Sequence, residues 1–471
     1  MMLGRPLALL ALAGSLSGCI LLGPDYERPP LPKMEEFRSE TQAETKARDE
    51  SLADLPWWSV FDDPVLNDLT KDAMQNNYDV RIALARVEQA RALAGVAASE
   101  FYPQIGYTVG ADRGKRTFLG NPSTSVTDTG NSFIGAGLLS WEIDLWGRIR
   151  RANEAALAQL LATDEARRGV MLTLLSDVGE AYYTLLQLDL LLEIARNTAA
   201  SYRQSYDLFD RRFRGGVASR LETARAEANL ASVLATIPDI ERQIVITENR
   251  INVLLGRNPG PVVRGAALRE QKMPPHVPVG LPSVLVERRP DLRQAEQTLV
   301  AANAQIGVAK AAYFPQITLT GSFGGVSTQL SEILKGNAIL WSVGGALAGP
   351  IFTGGLLDAQ YDVAVAQSEQ ARLQYEQAVL NAFQEVSNLL VTRQKLDESR
   401  AHQQRAVNAL VDSVRYATER YVGGLASYFE VLEAQQQLYP AQNQLAQIDG
   451  GRFVVIVQLY KALGGGWRRE Q

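Results

Sequence analysis

Four stretches of the chain alternate between apolar and polar positions. In the clearest of them, one side carries Ile317, Leu319, Gly321 and Phe323, and the other carries Thr318, Thr320, Ser322 and Gly324. An earlier stretch places Ile105, Tyr107 and Val109 opposite Gly106, Thr108 and Gly110. The two remaining stretches have their apolar sides at Phe133, Gly137, Leu139, Trp141 and Ile143, and at Ile339, Trp341, Val343, Leu347 and Ile351. A period of two predicts β-strands with one apolar face.

After Gly147 the apolar positions change to a helical period. Spacings of three and four residues recur on one face, which comprises Met171, Leu174, Val178, Ala181, Leu185, Leu188, Leu192, Ala195, Ala199, Tyr202, Tyr206, Phe209 and Phe213. A helix from Arg148 to Phe213 would contain about 66 residues and would be about 100 Å long. Its heptad repeat predicts left-handed supercoiling against neighbouring helices.

Each long helix is followed by a return helix. The first return helix has its seam at Leu230, Val233, Ile237, Ile240, Ile244, Thr247, Ile251 and Leu254. The second long helix has a looser seam at Val379, Ala382, Val386, Leu389, Leu396, Val407, Leu410, Val414, Ala417 and Tyr421. Pro238 and Pro440 predict a kink or an end in the return helices. Because one hairpin has little interior of its own, we expect other subunits to cover these seams.

The chain contains an internal duplication. The segment "ASEFYPQIGYTVG" recurs as "AAYFPQITLTGS" about 212 positions later, and "RFRGGVASRLE" recurs as "RYVGGLASYFE" at a similar offset. These markers define two repeats, residues 64–256 and 282–464, joined by a Pro-rich linker at residues 257–281. Each repeat is predicted to run helix, strand, strand, long helix, return helix. Gly215 and Gly216 in one repeat, and Gly423 and Gly424 in the other, are predicted to form the turns at the hairpin tips.

The predicted strands have the length of membrane-spanning β-strands, which is about 10 residues. Two soluble hairpins packed on a core are the alternative. Four strands in lipid cannot close a barrel, and each unpaired backbone group there costs several kcal/mol, so other chains must complete the sheet. A dimer would give eight strands and a filled interior, whereas a trimer would give twelve strands and a channel. Small and polar residues on the inward side favour the channel.

Composition excludes several classes of function. The chain has 471 residues and a net charge of −5, so no basic field indicates nucleic acid. Its one cysteine, Cys19, cannot form an intrachain disulfide, and two scattered histidines make a transition-metal site improbable. His276 lies in the linker and His402 lies among Gln and Arg residues, so neither belongs to a catalytic triad. We therefore expect no enzymatic activity, no metal and no cofactor.

The N-terminus is typical of a secretory signal peptide at residues 1–18. A short apolar segment ends in Leu16-Ser17-Gly18-Cys19, and Cys19 is the sole cysteine of the chain. This ending resembles the lipobox of bacterial lipoproteins, in which the cysteine becomes the acylated first residue. The alternative is an ordinary signal peptide with a chance cysteine. By the same resemblance, Ile20 at the next position favours sorting to the outer membrane, and residues 19–63 form a lipidated N-terminal segment.

The chain as a whole resembles the TolC-like outer-membrane efflux proteins, and within them the lipidated, OprM-like or NodT-type branch. Besides the lipobox and the doubled markers, the resemblance is carried by "GPDYERP" at Gly23, "WWSVFDDPVLNDL" at Trp57 and "LYKALGGGW" at Leu459. It implies a mainly helical fold in a homotrimer with a twelve-stranded membrane barrel and a long periplasmic helical tunnel. A belt at mid-height would include the linker, and residues 465–471 form a C-terminal tail.

The resemblance also implies a gate at the hairpin tips. It assigns Glu430 and Glu433 to an acidic ring, Tyr421 to an aromatic lock and Glu222 to the partner of that lock. Further candidates beside the tips are Asp207, Asp210 and Arg420, with Arg212 and Arg214 as additional compensating charges. Ala426 departs from the family pattern, since TolC itself has an arginine there, so the lock is expected to differ in detail. Solvated helix surfaces are the alternative for each of these carboxylates.

These features favour a passive exit duct for small molecules and drugs in the outer membrane. The resemblance implies a periplasmic adaptor protein and an inner-membrane pump of the RND class as partners. A duct for type I protein secretion and a non-channel structural surface lipoprotein are the alternatives. A wide passive tunnel needs no site that recognises its substrate.

Overall fold

A computed structural model describes residues 21–30, 60–115, 129–217, 219–274 and 282–465. The first repeat contains α1 (Pro64–Asn76), α2 (Tyr78–Ser99), β1 (Gln104–Lys115), β2 (Thr129–Ile143), α3 (Arg148–Arg214) and α4 (Arg220–Leu254). The second contains α5 (Pro282–Arg288), α6 (Pro290–Ala311), β3 (Gln316–Ser327), β4 (Ile339–Ala348), α7 (Leu356–Val422) and α8 (Tyr428–Ala462). Cys19 and His276 lie outside the described residues.

The two repeats match each other in the lengths of their elements. The long helices α3 and α7 have 67 residues each, and the return helices α4 and α8 have 35 each. Strands β1 and β3 have 12 residues each. The predicted order of strands and long helices is therefore confirmed. Pro238 and Pro440 lie inside continuous helices, so neither proline ends its helix.

The start of each repeat differs from the prediction, because two helices precede the first strand instead of one. In the first repeat the side chain of Asn77 accepts hydrogen bonds from the backbone N–H groups of Asp79 (2.7 Å) and Val80 (3.1 Å), and so caps α2. In the second repeat, Pro290 excludes the α conformation at Arg289, which separates α5 from α6. The spacing of apolar residues alone does not reveal the break between the two helices, because the apolar pattern continues across it.

The chain forms two compact units, and each unit draws on both repeats. Unit 1 comprises Met1–Pro30, Arg86–Asp164 and Gln294–Tyr375. Unit 2 comprises Leu31–Ala85, Glu165–Arg293 and Glu376–Gln471. The repeats are therefore units of sequence rather than of packing.

Unit 1 contains an antiparallel sheet in the order β1-β2-β3-β4. Its register places the predicted apolar residues of the strands on one side, which we call the apolar face. Ile351 is the exception, because β4 ends at Ala348. The other side carries mostly small and polar residues, and there the hydroxyls of Ser322 and Ser342 are hydrogen-bonded at 2.8 Å. Its larger apolar residues are Ile134, Leu138, Val326 and Leu340. Every residue of the outer strand β4 is exposed.

Residues 21–30 cross unit 1 along α3 and α6. Arg151 is 2% exposed, and its guanidinium donates to the carbonyl of Leu22 (3.1 Å) and to the carboxylate of Asp25 (2.7 Å). Gly23 has a φ of +91°, and a Cβ there would lie 2.5 Å from the Cα of Gly307. Two glycines thus allow the segment and α6 to approach within backbone contact. Further along, Arg28 forms a two-pronged ion pair with Glu296 at 2.6 Å.

In unit 2 the helical seams are covered within the chain itself. Val178 and Leu185 of α3 are fully buried, and Tyr202 is nearly so. Tyr202 belongs to a cluster with Leu230 and Val233 of α4. The expectation that other subunits cover these seams is therefore wrong for this stretch, because α4 of the same hairpin packs on α3, with Tyr439 of α8 beside it.

The described part of the linker is irregular and is tied to α3 and α4 of unit 2. Asp63 caps α1 and accepts hydrogen bonds from the hydroxyl of Tyr182 (2.8 Å) and the side chain of Gln271 (2.6 Å). Arg264 pairs with Asp189 (3.0 Å) and also with Glu248. Burial and the nearby Asp63 carboxylate raise the pKa of Tyr182, so that its hydroxyl stays protonated.

None of the described helices is long and apolar enough to cross a membrane.

Candidate functional site at the hairpin tips

Both helical hairpins of unit 2 turn at a glycine in the left-handed conformation. Gly216 has a φ of +74° and Gly424 a φ of +71°. In the first turn, the N–H of Val217 donates to the carbonyl of Arg212 and that of Gly216 donates to the carbonyl of Phe213, both at 2.9 Å. This pair of bonds is a Schellman motif, which requires a residue without a Cβ penalty at its left-handed position. The glycines predicted for the tips therefore lie in the turns of the two hairpins.

The two return helices begin with the same sequence pattern but use it differently. Ser219 and Glu222 form a capping box, in which the N–H of Ser219 donates to the Glu222 carboxylate at 2.8 Å and the N–H of Glu222 donates to the Ser219 hydroxyl at 3.3 Å. Ser427 makes no such side-chain bond at the start of α8. Glu430, the counterpart of Glu222, instead accepts from Arg420 across the turn at 3.3 Å.

Tyr421, the predicted lock residue, contacts a cation of the other hairpin. Among the described residues, this is the only contact between Tyr421 and a cation. The guanidinium of Arg212 on α3 donates to the hydroxyl of Tyr421 on α7 and lies 5.8 Å from the centre of its ring. The duplication makes Arg212 the counterpart of Arg420, and Phe213 the counterpart of Tyr421. Since Phe213 lacks a hydroxyl, the reverse contact cannot form. Arg420 pairs with Glu430 of its own hairpin instead.

An aromatic cluster lies directly beneath the tips and contains residues of all four helices. Its buried members are Phe209, Ala226, Ala417, Tyr428, Val431 and Leu432. The ring of Tyr428 meets Phe209 edge-on at 4.5 Å and Tyr421 at 4.9 Å. Its hydroxyl is hydrogen-bonded to Ser205, and burial raises its pKa above the ordinary value. The cluster therefore fixes the lock residue from below.

A second layer of polar contacts joins the hairpins farther from the tips. Tyr202 donates to the carbonyl of Gln435 at 3.1 Å, and the hydroxyls of Thr236 and Tyr439 are 3.0 Å apart. Burial raises the pKa of Tyr202 to about 12, so that its hydroxyl is a neutral donor at physiological pH. These bonds cross between repeats and fix the register of one hairpin against the other.

The structure brings some of the predicted site residues together and separates others. Tyr421, Arg420 and Glu430 lie at the tip of the second hairpin, whereas Glu222 belongs to its own capping box. The expected pairing of Tyr421 with Glu222 is therefore not the arrangement within this chain, in which Arg212 takes that place. Asp210 pairs with Arg214 one turn away at 2.8 Å, and Asp207 and Glu433 are exposed on helix surfaces.

Sequence reasoning missed the residues that support the lock. Ser205 and Tyr428 were not among the candidates, although Phe209 stood on the heptad seam. The signal for Tyr428 was its place in "SYFE", one residue after the helix cap, where an aromatic residue closes the top of a helical core.

No cluster of described residues could hold a metal ion.

Comparison with known proteins places this fold among outer-membrane channels. The crystal structure of the open state of the Neisseria gonorrhoeae MtrE outer membrane channel superposes with a TM-score of 0.86 and 30% identity, covering 96% of this chain and 99% of that one. A family model described as outer membrane efflux protein matches residues 69–257 and 281–465. The chain belongs to the outer membrane efflux protein family.

Two relatives illustrate the range of the family. The chain is 32% identical to the probable outer membrane lipoprotein SilC of Salmonella typhimurium, over 96% of each chain. It is 33% identical to the toluene efflux pump outer membrane protein TtgC of Pseudomonas putida, over 98% of this chain and 96% of that one.

Proposed function

We propose that this protein is the outer-membrane exit duct of a tripartite efflux system and that it acts as a homotrimer. The single observation that carries the proposal is the sheet of unit 1, which has one apolar face, one face of mostly small and polar residues, and outer strands that leave backbone groups to pair. Three such sheets would close a twelve-stranded barrel with a polar lumen. The proposal thereby also accounts for long helical hairpins that would continue the lumen into the periplasm.

The partners follow from the same reasoning. A passive duct has no energy source, so export requires an inner-membrane pump and an adaptor that bridges the periplasm. The name of the toluene efflux relative supports small molecules rather than secreted proteins as the substrate class. The name of SilC supports lipidation of the mature N-terminus at Cys19.

The tips are proposed as the gate. Arg212 and Tyr421 connect the hairpins, and Arg420 and Glu430 close the second turn. In a trimer, three copies of Glu430 and Glu433 would approach a common axis. The negative charge of this ring would attract cations into the aperture.

Light scattering in detergent and recording in planar bilayers test the proposal together. We expect a mass near three times that of the processed chain and discrete single-channel conductances. A folded monomer at nanomolar concentration would contradict the trimer, and a trimer without conductance would point to a structural surface lipoprotein. Replacing both Glu430 and Glu433 with Ala should reduce the cation preference measured from the reversal potential.

A further inference from the structure

The connection between β3 and β4 folds back onto the apolar face of the sheet. This connection, residues 329–338, is called the distal loop. It contains two short 3-10 turns, Leu330–Glu332 and Gly336–Ala338. The N–H of Lys335 donates to the carbonyl of Glu332 at 2.9 Å, and the N–H of Ala338 donates to that of Lys335 at 2.8 Å. Backbone bonds thus give the loop a defined conformation.

Two glycines of the sheet make room for the distal loop. Gly135 and Gly325 face each other across β2 and β3, on the same side as Leu139 and Phe323. A Cβ at Gly325 would lie 2.1 Å from the carbonyl oxygen of Ile333, and one at Gly135 would lie 3.6 Å from the end of the Ile333 side chain. Ile333 therefore fills a notch in the apolar face, and any larger residue at Gly325 would displace it.

With Ile333 held in this notch, two leucines of the loop remain exposed. Leu334 is 87% exposed and Leu330 is 65% exposed. The one lysine of the loop pairs with Glu332 at 2.8 Å, so the loop presents no net charge to a partner. On the strand beside it, Trp341 and Val343 of the apolar face are exposed as well. The leucines therefore extend an existing apolar surface.

The height of the loop along the strands is informative. Ile317 and Gly325 both lie on the apolar face, and eight residues at about 3.4 Å each span about 27 Å along the strand. A strand tilt of about 40° reduces this distance to about 21 Å along the membrane normal, compared with an apolar band of about 25 Å. The loop thus lies at the distal edge of such a band, within reach of acyl chains.

We propose that the distal loop is a lipid-contacting surface, in which Leu330 and Leu334 insert among the acyl chains of the outer leaflet. The inference rests on the proposed membrane position of the sheet. The commitment to lipid follows from the continuity of the two leucines with the apolar face and from the neutral Lys335–Glu332 pair. Insertion would fix the height of the sheet in the membrane and would hold the β3–β4 connection away from the mouth of the lumen.

The experiment uses the one native cysteine to advantage. Because acylation blocks Cys19, Leu334→Cys provides a single thiol for an environment-sensitive fluorophore in the purified full-length protein. Reconstitution follows in two sets of vesicles, one with a nitroxide near the phospholipid headgroup and one with a nitroxide deep in the acyl chain, because Val343 pairs with Gly321 midway along the apolar face. Asn337→Cys, an exposed polar position on the same loop, is the matched control, and Val343→Cys reports on the sheet.

We expect the Leu334 label to shift its emission to shorter wavelength and to lose intensity to the nitroxide, as the Val343 label does, while the Asn337 label does neither. If lipid quenches the Val343 label while the Leu334 label behaves like the Asn337 label, the inference is overturned. The proposed function is then left intact. Protection of the Leu334 label from both nitroxide and aqueous iodide also overturns it, since a protein neighbour then covers the loop. The absence of quenching at Val343 overturns the membrane position itself.

Discussion

Tyr421 and Phe213 occupy equivalent places in the two repeats and differ by one hydroxyl group. That hydroxyl accepts from Arg212 and joins the hairpins at their tips. The contact is solvent-exposed, so its net contribution is about 1 kcal/mol, or about fivefold in the ratio of closed to open tips. One oxygen atom thus distinguishes the two halves of the proposed gate.

Tyr421→Phe should therefore raise the open probability of the resting channel by about fivefold, because it removes the acceptor of Arg212 and keeps the ring. Single-channel recording of the purified protein measures this change. Tyr416→Phe is the control, since Tyr416 is an exposed tyrosine of the same helix. Equal resting activity of Tyr421→Phe and wild type would remove Tyr421 from the gate.

Gly307 and Gly95 form a second pair of equivalent residues, and only one of them is in a close contact. A Cβ at Gly307 would lie 2.6 Å from the carbonyl oxygen of Leu22 and 2.7 Å from the side chain of Arg151, whereas a Cβ at Gly95 meets nothing within 4 Å. Gly307→Ala should therefore cost about 1–3 kcal/mol through overpacking. Gly95→Ala should stabilise its helix by up to about 1 kcal/mol.

Thermal unfolding in detergent should separate the two variants in sign. Limited cleavage after the exposed Glu27 by a glutamate-specific protease should also be faster in Gly307→Ala, because the clash displaces the segment that carries Glu27. Similar cleavage rates in both variants would show that the segment is held by its ion pairs alone.

At the scale of elements, the sequence pattern predicted the first long helix to within a residue of its ends, and the glycine pairs were predicted to form the turns. The period did not predict what covers the seam. Apolar residues spaced three and four positions apart identify the apolar face of a helix. They do not indicate whether that face packs on another part of the same chain or on a different subunit. Tyr428 and Ser205 escaped prediction for the same reason, because their contact joins helices far apart in sequence.

The caps of the return helices offer a matched test at this scale. Ser219→Ala removes one side of a capping box and should destabilise the first turn of α4 by about 1 kcal/mol. Ser427→Ala should have a much smaller effect, because the side chain of Ser427 makes no cap bond. Amide hydrogen exchange of the first turns of α4 and α8 measures both effects. Comparable loss of protection in the two variants would mean that the repeats are capped alike in solution.

At the scale of the whole molecule, the lipid anchor and the sheet would hold the protein in the membrane independently. Cys19→Ala should abolish incorporation of labelled palmitate, because Cys19 is the proposed site of acylation. Ser15→Ala, which lies outside the lipobox, should leave incorporation unchanged. Equal labelling of Cys19→Ala and wild type would show that the N-terminus is an ordinary signal peptide.

The equal lengths of α3 and α7, and of α4 and α8, restrict how such a chain can evolve. Removal of one heptad from α3 and α4 alone would shift their tips by about 10 Å relative to those of the other hairpin. Phe209 would then no longer reach Tyr428, and Arg212 would lose Tyr421. We therefore expect insertions and deletions in these helices to occur in all four helices together. A heptad removed from all four helices should preserve assembly, whereas a heptad removed from two should not. The contacts between the two hairpins thus require the helices of the two repeats to keep the same length.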